Sequence, residues 1–287
     1  MPTSGGDPLT IIAGSGPLPL HVARTAARAG RPVQIIGIIG EADPEIAEFP
    51  HVWLKWGEIG RFESVLAAHG TKDIVLIGAI RVRPDFSNIK VDFGAIRILP
   101  EVMKLLANGD SDLLSGVVGI LARRGYRVVG AHEVATDLVA GEGPLGAKPV
   151  PRASRRDVDR ALAAARAIGI IDAGQAAVAA NGRVVALEAA EGTDGMLERV
   201  AALREAGRLR WSGRAGVLAK CAKPQQDLRV DMPTIGPRTV EAAARAGLAG
   251  IAIEAGRVMI VDGAEVVRLA DAEGLFVSGE TIAPGGG

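Results

Sequence analysis

Short apolar runs alternate along this chain with segments of helical spacing, and glycine-rich turns join one to the next. Leu9–Ala13 is mostly apolar and ends in Gly14-Ser15-Gly16-Pro17. Leu18 to Gly30 then carries Leu20, Ala23 and Ala27 at helical spacing, and Val33–Ile39 is apolar but for Gln34. Strand, glycine turn and helix in that order open a βα unit of the kind that binds nucleotides. The turn GSGPLP is not a complete G-x-G-x-x-G fingerprint, and any tight βα turn favours glycine. A strand so nearly continuous in apolar residues fits the middle of a parallel sheet covered on both faces.

The alternation continues. His51–Trp56 reads as a third strand, Gly57–His69 as a helix and Asp73–Ile80 as a strong strand with Gly78 near its carboxyl end. Arg81, Arg83, Asp85 and Asn88 follow at once, where an α/β sheet keeps its binding edge. Ile96–Ala107 reads as a helix. Asp110, Ser111 and Asp112 are cap candidates for another helix, Leu113–Arg124, and Tyr126–Val129 is a strand. The pattern predicts an α/β fold with a mostly parallel sheet wrapped by helices in residues 1–134.

Residues 135–152 have the glycine and proline content of a linker, and a hinge is expected there. Residues 153–287 predict a smaller, mixed α/β domain. Ser154 reads as the cap of a long helix, Asp157 to Ile168. Gln175–Ala180 and Arg183–Glu188 flank Asn181-Gly182, a strong hairpin signal. The turn Glu191-Gly-Thr-Asp-Gly195 leads into a helix over Met196–Ala206, with Thr193 or Asp194 as its cap. Gly216–Lys220 is a strand, Arg238–Gly247 a helix, and Ile251–Glu254 and Arg257–Val261 are strands; Asp271–Gly279 ends the fold.

Composition excludes several functions. The chain has 287 residues, 48% hydrophobic and only 3% aromatic, so its cores are built from Ala, Val, Ile and Leu. Its formal net charge is zero, which argues against a general nucleic-acid-binding role. The single cysteine, Cys221, rules out a disulfide framework and suits a reducing cytoplasm. The N-terminus lacks the pattern of a signal peptide, and no apolar run reaches the ~18–20 residues of a membrane helix. The expectation is a cytoplasmic protein, at most peripheral on a membrane.

Catalytic motifs narrow the choice further. The four histidines (His21, His51, His69, His132) form no metal-binding pair, there is no G-x-S-x-G elbow and no P-loop, and Cys221 has no histidine near it in sequence. Carboxylates and amines remain. Asp227 and Asp231 sit four residues apart in a stretch that also holds Lys220, Lys223, Gln225 and Arg229, between a strand and a helix. Glu191 and Asp194 lie in the other polar turn of the same half. Hard oxygen ligands suit Mg²⁺ or Mn²⁺, and lysines can neutralise phosphate oxygens, a set that fits phosphoryl transfer. A surface ion-pair network and a plain helix cap explain the same residues structurally.

The segment AKCAKPQQDLRVDMPTIGPRTVE, the EGTDGM turn, the opening IIAGSGPLP and the GDSDLL turn together resemble the LpxI family, UDP-2,3-diacylglucosamine pyrophosphatases of lipid A biosynthesis. The resemblance covers nearly the whole chain, and the first of these motifs is long and specific. It implies a Rossmann-like N-terminal domain and a C-terminal catalytic domain with the ligand between them. It implies Mg²⁺-dependent hydrolysis of UDP-2,3-diacylglucosamine to 2,3-diacylglucosamine 1-phosphate and UMP, by water attack on the sugar-side phosphorus.

By the same resemblance Asp227 and Asp231 are the catalytic pair, holding the metal or activating water, with Asp194 as a further metal ligand. Lys220, Lys223, Gln225, Thr193 and Asp194 contact substrate, and Gly14, Ser15, Gly16 and Gly78 approach it from the N-terminal domain. The expected partners are a lipid-linked nucleotide sugar and, transiently, the inner face of the inner membrane; a homodimer is compatible with the sequence. Two acyl chains call for an apolar chamber. The alternative is a non-catalytic two-domain binder of a nucleotide sugar or lipid phosphate, which would gain nothing from the pair Asp227 and Asp231.

Overall fold

A computed structural model describes residues 6–80 and 110–282. The expected helix at Ile96–Ala107 and the polar set Arg81, Arg83, Asp85 and Asn88 lie outside the described residues. The chain divides into two compact units, residues 1–136 with Arg229–Asp231, and residues 137–228 with 232–287.

In the first unit, β1 (Leu9–Ala13), β2 (Val33–Ile38), β3 (His51–Leu54), β4 (Asp73–Ile77) and β5 (Arg127–Val128) form a parallel sheet in the order β3-β2-β1-β4-β5. This is the strand order of a doubly wound sheet, which reverses direction between β1 and β4. Helices α1 (Leu18–Arg28), α2 (Ile59–His69), α3 (Asp110–Arg123) and α4 (Ala131–Val134) connect or follow the strands. Leu9, Ile11, Ile35, Ile36 and Ile74 are fully buried, as strands covered on both faces require. The GDSD turn is itself helical from Asp110, so its acidic residues belong to the first turn of α3 and not to a cap ahead of it.

A buried carboxylate stands at the start of β4. Asp73 is 2% exposed and accepts from Arg127 Nε at 2.7 Å and from Arg31 at 2.6 Å. Burial by itself would raise its carboxyl, but the hydrogen bonds and charges of Arg127 and Arg31 together outweigh it and hold the group below its ordinary value.

The second unit carries β6 (Gly143–Pro144), α5 (Arg155–Ile170), β7 (Ala176–Ala180), β8 (Arg183–Leu187), α6 (Gly192–Glu205), β9 (Val217–Lys220), β10 (Thr234–Ile235), α7 (Pro237–Arg245), β11 (Gly250–Glu254), β12 (Met259–Ile260), α8 (Gly263–Glu273) and β13 (Phe276–Glu280). Six strands form one sheet in the order β6-β13-β11-β9-β7-β8. β9, β11 and β13 run parallel, while β7 is antiparallel to both β9 and β8. The short parallel pair β10–β12 stands apart. Thus Arg257–Val261, expected as a strand, contributes only two residues, and these do not join the main sheet.

The hairpin of β7 and β8 turns on Asn181 and Gly182, both at positive φ (53° and 75°), the geometry a two-residue turn needs. The Asp157 carboxylate on α5 accepts from both turn amides, at 3.1 and 2.5 Å. Asp157 therefore ties the long helix to the hairpin, while Ser154 makes no side-chain cap.

One expectation changes in this unit. Residues 137–152, read as part of a linker, belong to the second unit by Cα packing. β6 pairs with β13, and the amide of Ala147 donates to Asp271 at 2.9 Å.

Candidate functional site

Loops of the second unit converge on one cavity of about 560 Å³. β8 delivers Glu188, α6 opens with Gly192, Thr193 and Asp194, β9 ends on Lys220, and β10 leads through Gly236 into Pro237 and Arg238 at the start of α7. Each local choice has a reason. Gly192 has φ 72°, a left-handed conformation that a side chain disfavours, and it starts the helix sharply. Pro237 suits a first helical turn, where its missing N–H has no partner to lose. Two helix N-termini, of α6 and α7, thus border the cavity, and such termini favour anions.

The side chains form a connected set. Lys220 is 8% exposed; its Nζ donates to Thr193 Oγ1 and to the carbonyl of Thr234, each at 2.9 Å. Thr193 Oγ1 donates to Glu188 Oε1 at 2.8 Å, and Glu188 Oε2 accepts from the Gln175 amide at 2.9 Å. Arg238, exposed, donates to Asp194 Oδ2 at 3.1 Å. Burial pushes the Lys220 amine below its usual range, opposed by the carboxylates of Glu188 and Asp194. Thr193 lies inside the first turn of α6 and its hydroxyl is committed to Glu188. It does not cap the helix, because the helix already begins at Gly192, one residue before it.

Of the residues expected from sequence, Thr193, Asp194 and Lys220 meet here. Lys223 and Gln225 point elsewhere: Lys223 Nζ donates to Asp172 at 2.6 Å, and Gln225 Nε2 to the carbonyl of Gly169 at 3.1 Å, both at the carboxyl end of α5. Asp227 is partly buried and Asp231 exposed, on the connection between β9 and β10, and neither lines the cavity. Glu188 and Arg238 escaped the sequence reading. The signal for Glu188 was its place between a hairpin strand and the EGTDG turn.

The other expected set sits at the carboxyl ends of β1 and β4 in the first unit. The Ser15 amide and hydroxyl both donate to the Ala79 carbonyl, at 2.8 and 2.9 Å, and the Gly16 amide donates to Asp43 at 2.7 Å. Gly14 and Gly78 press backbone against backbone. A Cβ on Gly14 would lie 2.5 Å from the Ala79 oxygen, and one on Gly78, at φ 107°, would lie 2.6 Å from the Gly14 carbonyl carbon. Close approach of the two strand ends is reason enough for both glycines.

No three His, Cys, Asp or Glu side chains among the described residues converge to hold a metal ion. The donor chemistry of single carboxylates still fits magnesium, which commonly takes one or two of them and completes its octahedron with water and substrate phosphates.

Comparison with known proteins agrees with this architecture. The LpxI N-terminal domain family model matches residues 8–138, and the LpxI C-terminal domain model matches residues 141–278. A curated relative, the UDP-2,3-diacylglucosamine pyrophosphatase LpxI of Caulobacter vibrioides, is 44% identical over 272 residues, 94% of this chain and 96% of the relative. With both of its halves matched in order, the chain belongs to the LpxI family.

Proposed function

We propose that this protein hydrolyses the pyrophosphate of UDP-2,3-diacylglucosamine in lipid A biosynthesis. The observation that carries the reading is the 44% identity to a pyrophosphatase of that name across almost the full length of both chains. The cavity supports it. A pyrophosphate is a dense anion, and Lys220, Arg238 and the N-termini of α6 and α7 offer it two cationic side chains and two sets of backbone amides.

In this reading water adds to the sugar-side phosphorus and the bond to the bridging oxygen breaks. The water oxygen stays with 2,3-diacylglucosamine 1-phosphate, and UMP leaves with the bridging oxygen. Lys220 donates to a phosphate oxygen and offsets charge that grows as UMP departs. Asp227 or Asp231 accepts the proton of the attacking water or holds a divalent cation. Such a cation supplies Lewis-acid polarisation of the phosphoryl group. Work at the inner face of the inner membrane, where a diacylated substrate resides, belongs to the same proposal. No described helix is long and apolar enough to cross a membrane.

The test is turnover of UDP-2,3-diacylglucosamine by the purified chain in H₂¹⁸O, with and without EDTA, read by mass spectrometry. The label is expected in 2,3-diacylglucosamine 1-phosphate and not in UMP, with turnover lost to EDTA and restored by Mg²⁺. Label in UMP would reverse the point of attack; substrate binding without turnover would leave a carrier.

A further inference from the structure

The cavity of the second unit holds a buried carboxylate to which neither the expected catalytic pair nor the expected substrate contacts assign a role. Glu188, 7% exposed, has both oxygens engaged, one by the Gln175 amide and one by the Thr193 hydroxyl. The second bond sets a polarity. A threonine hydroxyl has one proton to give. Glu188 takes it, so Thr193 Oγ1 can only turn a lone pair toward Lys220 Nζ, 2.9 Å away. Lys220 spends one proton there and a second on the Thr234 carbonyl. An ammonium carries three, and the third is left for an anion in the cavity that the side chain lines.

We propose that Glu188 is a positioning residue which, acting through Thr193, aims the third proton of Lys220 at a phosphate oxygen of the substrate. The identity of that anion rests on the pyrophosphatase reading; the relay itself rests on the geometry. The Glu188 carboxylate also favours the charged form of Lys220 against the burial that opposes it. A merely structural Glu188, pinning the end of β8 to the start of α6, would not need the Thr193 hydroxyl to pass anything on.

Steady-state kinetics of the full chain on UDP-2,3-diacylglucosamine separate the two, using Glu188→Gln, Thr193→Val, their double variant and Thr193→Ser. Glutamine keeps the shape of the side chain but offers one acceptor oxygen to two donors, so the Thr193 hydroxyl must turn. Glu188→Gln and Thr193→Val are each expected to lower kcat/KM by about tenfold, with the double variant no worse than the weaker single, because residues that act as a unit are non-additive. Thr193→Ser keeps the relay and is expected to stay near the parental rate.

Losses that multiply in the double variant overturn the proposal, and so does parental kcat/KM in Glu188→Gln. If Glu188→Gln fails to fold by circular dichroism, the two Thr193 variants decide, and equal activity of Thr193→Ser and Thr193→Val overturns it. A parental chain with no turnover counts against the pyrophosphatase reading alone. The same variants are then read by calorimetric affinity for inorganic pyrophosphate, where weaker binding in Glu188→Gln and Thr193→Val supports the relay and unchanged binding removes it.

Discussion

Lys220 Nζ, at the end of β9, donates to Thr193 Oγ1, in the first turn of α6, at 2.9 Å across 27 residues of sequence. This bond joins the two polar loops of the C-terminal unit into one site. Both groups are nearly buried, so the bond operates where water competes little and charge acts strongly.

Replacing Lys220 with methionine keeps the length and apolar stem of the side chain and removes its charge. Turnover of UDP-2,3-diacylglucosamine is expected to fall by about 10²–10³, the range for loss of one preorganised donor to developing charge. The circular dichroism spectrum should stay close to the parental one. Parental kcat in this variant would remove Lys220 from the reaction.

Asp227→Ala and Asp231→Ala probe the carboxylates outside the cavity. If they hold a metal or activate water, each is expected to abolish turnover while substrate still binds, as measured by calorimetry with the intact substrate. Raising Mg²⁺ should recover part of the rate only for a variant that has lost a metal ligand. Full turnover in both variants would assign the chemistry elsewhere.

Asp73 carries a pH-dependent share of stability. Its carboxyl sits below the ordinary value of about 3.9, so its contribution is complete above that pH and is lost as pH falls through the depressed folded value. Asp73→Asn is expected to cost about 2 kcal/mol near pH 7, the scale of hydrogen bonds to a charged group, discounted for the exposure of Arg127. Urea melts of parent and variant should converge toward low pH. A difference that does not shrink as pH falls below the ordinary carboxyl range would mean that the ionised carboxylate is not its source.

Cys221 is 1% exposed, and burial pushes its thiol up to about 12. The thiolate is the reactive form, so Ellman's reagent at pH 8 is expected to label the native protein slowly and the urea-unfolded protein at once. Rapid native labelling would show frequent opening at the end of β9.

Much of the fold was legible because strand and helix patterning is local. Val33–Ile38 is apolar but for Gln34 and is buried at every position, and Asn181-Gly182 announces its hairpin by the φ values it allows. The misreadings share a physical origin. Residues 137–152 look like a linker because glycine and proline mark irregular backbone, but composition does not say whether irregular backbone is docked, and here Gly143 and Pro144 pair with β13. Thr193 looks like a cap because its type is right, but the helix already starts at Gly192, so Thr193 stands inside the first turn and its hydroxyl bonds Glu188 and Lys220 instead.

The sequence by itself determined the alternation of elements and, through its long polar motif, the family. Only the tertiary structure decided which polar residues share a site. It gathers Lys220, Thr193, Asp194 and Glu188 around two helix N-termini, and it turns Lys223 and Gln225 to the end of α5. Neighbours in sequence part there because successive residues of an irregular loop point in different directions. Lys220 and Thr193 meet because β9 and α6 are packed by the same apolar core, with Leu218, Met196 and Leu197 all buried in it.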